Sequence, residues 1–307
     1  MLQAGVVALA VASLCFVALQ SLPGDLALRI AATRYGEDRM TAPMVDDLRR
    51  TAGLDRPVLV QYGAWLGRIA TGDAGRSLLT GRPVQSEIAP RLRQTLLVGS
   101  LGALLALALA MPAGIAAGVA PGSRLDRAVT SVAALLASTP SFVLGSVLVA
   151  FLSVRLRWLP VAGDDTPWHF VLPVLALGAA LTPGLALVVR HGVAGSVSAY
   201  YTTFARMLGV APWRVALWVV ARPALVPVVA YLPVLAMQFA EGFVAIELLF
   251  NLDGMGVLLV RSLLARDIPV VMGVGIALAA LLGVVTLLAD LGLRVLDPRL
   301  RLAGHAP

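Results

Sequence analysis

The chain has no lysine; all 24 of its basic residues are arginine. A Walker A phosphate loop needs Gly-Lys-Ser/Thr, and a Schiff-base enzyme needs a lysine amine, so neither chemistry resides here. Cysteine is reduced to Cys15, which excludes an internal disulfide and leaves the redox compartment open. Charge is scarce as well. Only 13% of the 307 residues are charged, against 59% hydrophobic, and the mean hydropathy is +0.88. Soluble domains run at about 25% charged and about 45–50% apolar, so an ordinary water-soluble protein is excluded. The net charge of +7 reads as arginines that orient a membrane protein, and no nucleic-acid partner is expected. His169, His191 and His305 lack ligand spacing, so no metal site is expected in the chain. The scattered methionines read as gap-filling core.

What the chain does have is long apolar runs. A spanning helix needs about 20 apolar residues. Six windows free or nearly free of charge qualify: Met1–Gly24, the stretches between Arg93 and Arg124, Arg127 and Arg155, Asp165 and Arg190, then one after Arg222, and one between Asp267 and Asp290. The first window has no positive n-region, and Leu22-Pro23-Gly24-Asp25 is a poor cleavage site, so it reads as a retained helix and not a signal peptide. Gly114 and Gly118 form a small-xxx-small pair that permits close helix packing.

Arginines in the short loops set orientation. Arg124, Arg127, Arg190, Arg206, Arg214, Arg222, Arg294, Arg299 and Arg301 lie on one side; Arg155, Arg157, Arg261 and Arg266, balanced by aspartates, lie on the other. The arginine-rich side is expected to be cytoplasmic, with both termini there. The segment 22–93 is then extracytoplasmic, since long loops translocate regardless of charge. Within it, Met44–Arg50 is compatible with an amphipathic helix, and Gly53-Leu54-Asp55-Arg56-Pro57 reads as a helix stop and turn. The expected domain plan is a single membrane unit, 1–307, with a core at 94–300 and a cytoplasmic loop at 191–224.

The stretch from Arg190 to Pro227, which takes in that loop, carries four arginines and no acid, yet is otherwise apolar. The stretch Met207–Ala221 would reach only about 22 Å as a helix, too short to span. It is expected to form two short helices broken at Gly209–Pro212, with Gly209 as terminator and Pro212 as the next start. The pattern Tyr201-x3-Ala205-Arg206-x2-Gly209-x4-Arg214-Val215-x6-Arg222-x-Ala224-x2-Pro227 resembles the cytoplasmic "EAA" loop of binding-protein-dependent ABC importer permeases, specifically the dipeptide/oligopeptide/nickel branch. The resemblance extends along the chain. It takes in Leu22-Pro23-Gly24-Asp25, Gly53–Pro57, Gly72-Asp73-x-Gly75-x-Ser77, Pro140-Ser141-Phe142, Glu247-x2-Phe250-x3-Gly254-x-Gly256, Arg266-Asp267-x-Pro269 and Leu296-Asp297-Pro298-Arg299. The chain departs from the family pattern where the lysine usual before the loop glycine is Leu208, and where basic residues usually precede the first span.

The resemblance implies an all-α polytopic membrane protein of the type I ABC importer fold. It implies six transmembrane helices, an extracytoplasmic segment after the first, and a coupling loop between the fourth and fifth. It further implies a non-catalytic subunit in a prokaryotic cell (inner) membrane. Its partners would be a second permease subunit, two ATP-binding subunits that carry the ATP and magnesium, and an extracytoplasmic solute-binding protein. Tyr201, Ala205, Arg206, Gly209, Arg214, Arg222 and Pro227 are the coupling residues it designates. Relatives carry peptides, nickel, metal chelates or glutathione, and Val60-Gln61-Tyr62 with Trp158-Leu159-Pro160 is similar to nickel members.

Intramembrane acids are expensive and default to function. Glu247 is the candidate outer gate, or else a water-exposed interfacial carboxylate; Glu241, three residues after Gln238, either lines the path or pairs with a sister subunit. A self-sufficient secondary transporter or channel is the competing reading. It usually shows repeated halves with broken helices, and no such symmetry relates 1–150 to 151–307. An intramembrane enzyme would need a buried Ser-His or paired-Asp constellation, and the histidines sit at span ends.

Overall fold

The computed structural model describes residues 2–297. Arg299, Arg301, His305 and the Pro298-Arg299 end of the last family motif lie outside the described residues. The described chain is helical: α1 (Leu2–Ser21), α2 (Leu26–Tyr35), α3 (Ala42–Thr51), α4 (Val58–Ala70) and α5 (Val84–Val119). Then come α6 (Arg124–Ala137), α7 (Ser141–Arg155), α8 (Val171–Ser198), α9 (Tyr200–Met207), α10 (Pro212–Leu249), α11 (Met255–Leu264) and α12 (Ile268–Leu296).

Four of these elements, α5, α8, α10 and α12, are long and apolar enough to cross a membrane as single helices. The six-span plan is reached when two bent pairs are each counted as one span. The first pair turns 92° between α1 and α2; the second turns 100° between α6 and α7. The third apolar window is therefore two helices, not the straight one its composition suggests. The reason is local: Pro140 follows Thr139, and a residue before proline is pushed out of the helical region. Two other boundaries move. Helix α5 starts at Val84, nine residues before Arg93, so its first turns carry Glu87, Arg91 and Arg93 ahead of the apolar stretch. A half-buried ten-residue helix, α11, occupies a stretch read from sequence as loop.

The contacts divide the chain into two compact units. The first comprises residues 1–95 and 253–281. In it Ala12, Phe16 and Leu19 of α1 pack with Trp65 of α4 and with Ile268, Val271 and Met272 of α12. The amphipathic helix expected around Met44–Arg50 is α3, whose Val45 and Leu48 close on Ala27, Ile30 and Ala31 of α2. The expected stop and turn is there as well, with Gly53 at φ +66 and Pro57 capping α4. Arg266 and Asp267 hold both ends of the intervening segment. The Arg266 guanidinium donates to the carbonyls of Leu22 (3.2 Å) and Pro23 (2.7 Å). The Asp267 carboxylate accepts from the Ser77 hydroxyl (2.5 Å) and the Leu78 amide (3.1 Å). Burial pushes the Asp267 carboxyl above the ordinary range, and these hydrogen bonds pull it back in part.

The second unit comprises residues 96–252 and 282–307. Helix α8 is its axis, with Leu172, Leu177, Leu181, Leu185 and Val189 buried along its length. Between membrane helices packing relies on close van der Waals approach through small residues. Gly114 and Gly118 act that way. A Cβ on Gly114 would lie 2.6 Å from the Ala186 carbonyl oxygen, and one on Gly118 would lie 2.7 Å from that of Arg190.

Candidate coupling loop and path-lining face

The loop is built on the end of α8. Ala199 takes an extended conformation (φ −67°, ψ 145°), which separates α8 from α9. The fully buried Thr202 donates its hydroxyl to the Ser196 carbonyl at 2.7 Å and so fastens the underside of α9. Ala205 is half-buried on that underside, where a larger side chain would lift the helix. On the open side Tyr200 and Phe204, one turn apart, stack with ring centroids 6.4 Å apart.

Helix α9 ends where the glycine predicts. Gly209 has φ +75°, and nothing lies within 4 Å of where its Cβ would be. Its amide donates to the Arg206 carbonyl (3.0 Å) and the Val210 amide to that of Ala205 (3.2 Å), which satisfies carbonyls left over at the helix end. Pro212 then opens α10 at its first turn.

The expectation of a second short helix needs correction. From Pro212 the chain runs on without a break to Leu249, 38 residues in all, or about 57 Å at 1.5 Å per residue. That exceeds the roughly 30 Å of hydrocarbon, so the first turns of α10 extend beyond any membrane-spanning part. The residues Val215–Ala221 are wound as a π-helix. Pro223 lies just beyond and lacks an amide to donate back to residue 219. The wider i→i+5 turns absorb that defect where an α-turn would clash. The proline-rich base is therefore a continuous rod.

The resulting protrusion has an apolar skin. Tyr200 is 83% exposed, Met207 79% and Trp213 60%, with Leu208 and Trp218 also open. Arg206 and Arg214 are exposed and make no ion pair among the described residues. The Arg214 guanidinium sits 5.2 Å over the Trp213 ring. Tyr201, Ala205, Arg206, Gly209 and Arg214 are thus gathered in one knob. Arg222 and Pro227 are not part of it. The Arg222 guanidinium reaches back to the carbonyls of Leu296 (3.2 Å) and Val295 (3.4 Å), a cation on the negative end of α12. Pro227 packs on Gly192 of α8, where a Cβ would be 3.0 Å from its Cγ.

One pair escaped the sequence reading. Asp126, 3% exposed at the start of α6, receives two bonds from Arg190 of α8, Nε to Oδ1 and Nη2 to Oδ2, both 2.8 Å. The Gly122 amide adds a third at 2.8 Å, while Ser123 caps the helix through the Asp126 amide. This bidentate fork is the strong form of ion pair, and it ties the stem of the knob to the bent third span. Ser123-x-x-Asp126 is visible in sequence as a helix start, but nothing local points to a partner 64 residues away. By charge and position alone Arg190 reads only as an orienting residue.

The path candidates divide. Gln238 and Glu241 are exposed on one face of α10 together with Val234, Met237 and Leu248. Glu247 is 2% exposed, so the water-exposed carboxylate considered for it is not what the structure contains. Gly184 of α8 admits this face closely: the Tyr231 hydroxyl occupies the place a Cβ would take, and the Gln238 amide lies 3.5 Å from it.

The architecture is that of a helical membrane protein, with four helices long and apolar enough to cross a membrane and an arginine-bearing knob between α8 and α10. Residues 110–302 match the family described as "Binding-protein-dependent transport system inner membrane component", and the chain belongs to that family. It is 37% identical to a putative peptide transport system permease protein of Brucella abortus (strain 2308), over 97% of this chain and 96% of that one. It is 34% identical to a putative peptide permease protein of Brucella suis biovar 1 (strain 1330), over 95% and 94%. It is also 34% identical to the glutathione transport system permease protein of Salmonella choleraesuis (strain SC-B67), again over 95% and 94%. Among solved structures, an amino acid ABC transporter crystallised with histidines superposes with a TM-score of 0.52 at 15% identity, covering 68% of this chain and 94% of the other. The fold is that of an ABC importer permease.

Proposed function

We propose that the chain is the non-catalytic membrane subunit of an ATP-driven peptide importer, working by alternating access with a second permease subunit, two ATP-binding subunits and an extracytoplasmic solute-binding protein. It holds no cofactor; ATP and magnesium belong to the ATP-binding partners. The knob formed by α9 and the start of α10 docks in a cleft of an ATP-binding subunit, with Phe204, Met207 and Trp213 against its apolar floor and Arg206 and Arg214 toward acids at its rim. The observation that carries this reading is the coincidence of exposed apolar side chains with two guanidinium groups that are in no ion pair among the described residues, on a protrusion held by Thr202 and Gly209.

Motion at the knob reaches the spans by two rigid connections: the unbroken rod of α10, and the Asp126–Arg190 fork joining α8 to α6. The face of α10 carrying Gln238 and Glu241 lines the path where the second permease subunit covers it. A carboxylate there favours the free amino terminus of a peptide. The names of the relatives support peptides over nickel or metal chelates. The arginine-rich side faces the cytoplasm, both termini included, in the inner membrane of a prokaryote. The test is co-purification of the tagged full-length chain. An ATP-binding subunit and a second permease should come down together, and peptide should be accumulated only with ATP. A chain that transports alone would instead be a secondary carrier.

A further inference from the structure

The first unit contains a cavity of about 360 Å³ whose walls have opposite character. Phe16, Ile268 and Met272 supply an apolar wall. Arg50, Arg56 and Arg68 supply a cationic one. Among the described residues no aspartate or glutamate lines it, and none of the three guanidinium groups is in an ion pair. Asp55, between two lining residues, does not line the cavity itself. Trp65, which also lines the cavity, is 4% exposed, and its indole N–H is buried with no acceptor among the described residues. The charged side chains lining the space are thus all cations, and the buried side-chain atom left unsatisfied among its lining residues is a donor.

The placement of the two walls adds to this. Phe16 is five residues from the end of α1, about 7–8 Å in, and Met272 is four residues into α12, about 6 Å. The apolar wall is thus made by the last turns of α1 and the first turns of α12. The arginines come from the segment just outside them, on α3, α4 and their connection. Acyl chain against the first wall and headgroup against the second is the division an amphiphile needs.

We propose that this cavity is a phosphate-binding site, taking the phosphodiester of an anionic phospholipid or free inorganic phosphate. Arginine forks match phosphate oxygens in geometry and charge, and a basic recess beside membrane helices is a recurrent headgroup site.

The test uses the full-length chain in neutral detergent with Trp158, Trp168, Trp213 and Trp218 replaced by phenylalanine, which leaves Trp65 as the reporter. Dioctanoyl phosphatidylglycerol, dioctanoyl phosphatidylcholine and inorganic phosphate are titrated while Trp65 emission is followed. Phosphatidylglycerol should give a saturable change at concentrations well below those phosphatidylcholine needs. The triple variant Arg50→Gln/Arg56→Gln/Arg68→Gln, with helix content unchanged, should bind at least about tenfold more weakly, as loss of charge-assisted bonds implies. Arg39→Gln, an exposed arginine that does not line the cavity, should bind as the parent does. Saturation by inorganic phosphate alone assigns the site to the free anion; saturation by phosphatidylglycerol without phosphate competition assigns it to lipid. No saturable change with either, equal binding of phosphatidylcholine, or full binding by the triple variant overturns the proposal.

Discussion

The bend after α9 rests on one residue, so Gly209 offers the sharpest perturbation. Its φ of +75° lies in the left-handed region, while the space around it is open to 4 Å. Any replacement therefore acts through backbone strain alone. An ordinary L residue there costs roughly 1–2 kcal/mol, a β-branched one at least the upper figure, and asparagine least. The strain is set against only two bonds that close the bend, Gly209 to Arg206 and Val210 to Ala205. A loss of about 2 kcal/mol shifts the bent form by a factor of about 30. Gly209→Val should insert normally yet lose cargo uptake by about tenfold or more, with Gly209→Ala in between and Gly209→Asn close to the parent. The assay is ATP-driven uptake in vesicles, normalised to inserted protein. Parental uptake by the valine variant, or equal loss in the asparagine and valine variants, would show that the positive φ is not what the loop requires.

Three further outcomes follow from contacts already described. Gly114→Ala and Gly118→Ala bring a Cβ within 2.7 Å of α8 backbone oxygens and should lower thermal stability in detergent by about 1–3 kcal/mol each. Gly195→Ala, with nothing within 4 Å, should be neutral or slightly stabilising, and equal behaviour of the three would contradict the packing. Asp126→Asn and Arg190→Gln should each leave ATP hydrolysis running while uptake falls. The exchange Asp126→Arg with Arg190→Asp should recover part of the uptake, and no recovery would argue that the fork is not a mechanical link. Glu241→Gln should slow uptake of peptides with a free amino terminus more than of N-acetylated ones; an unchanged ratio removes Glu241 from the path.

Much of this arrangement is legible in the residues before any coordinates. The apolar windows mark the long helices because hydrocarbon tolerates only backbone-satisfied segments. Gly209, Pro212 and the Gly53–Pro57 turn announce themselves because their effects are local, in φ and in a missing amide. What stayed hidden is non-local or depends on neighbours. The right-angle bend at Ser138–Pro140 looks in sequence like one more tolerated proline. The continuity of α10 through Pro223 depends on a π-turn that composition does not encode. The Asp126–Arg190 fork and the Arg222 cap join residues 64 and 74 apart; charge counting reads Arg190 as orientation alone, and the family pattern reads Arg222 as a coupling residue and not as a helix cap.

The central claim is that the knob at Tyr200–Arg214 faces the cell interior and is covered by an ATP-binding subunit. Met207, 79% exposed at its tip, allows a direct measurement once the single native cysteine is removed by Cys15→Ser. Met207→Cys is treated with a membrane-impermeant maleimide in sealed vesicles of known orientation, with and without the co-expressed ATP-binding subunit. Labelling only from the cytoplasmic side, with protection when the ATP-binding subunit is present, is the expected result. Labelling from the outer side, or labelling indifferent to that subunit, would contradict the account.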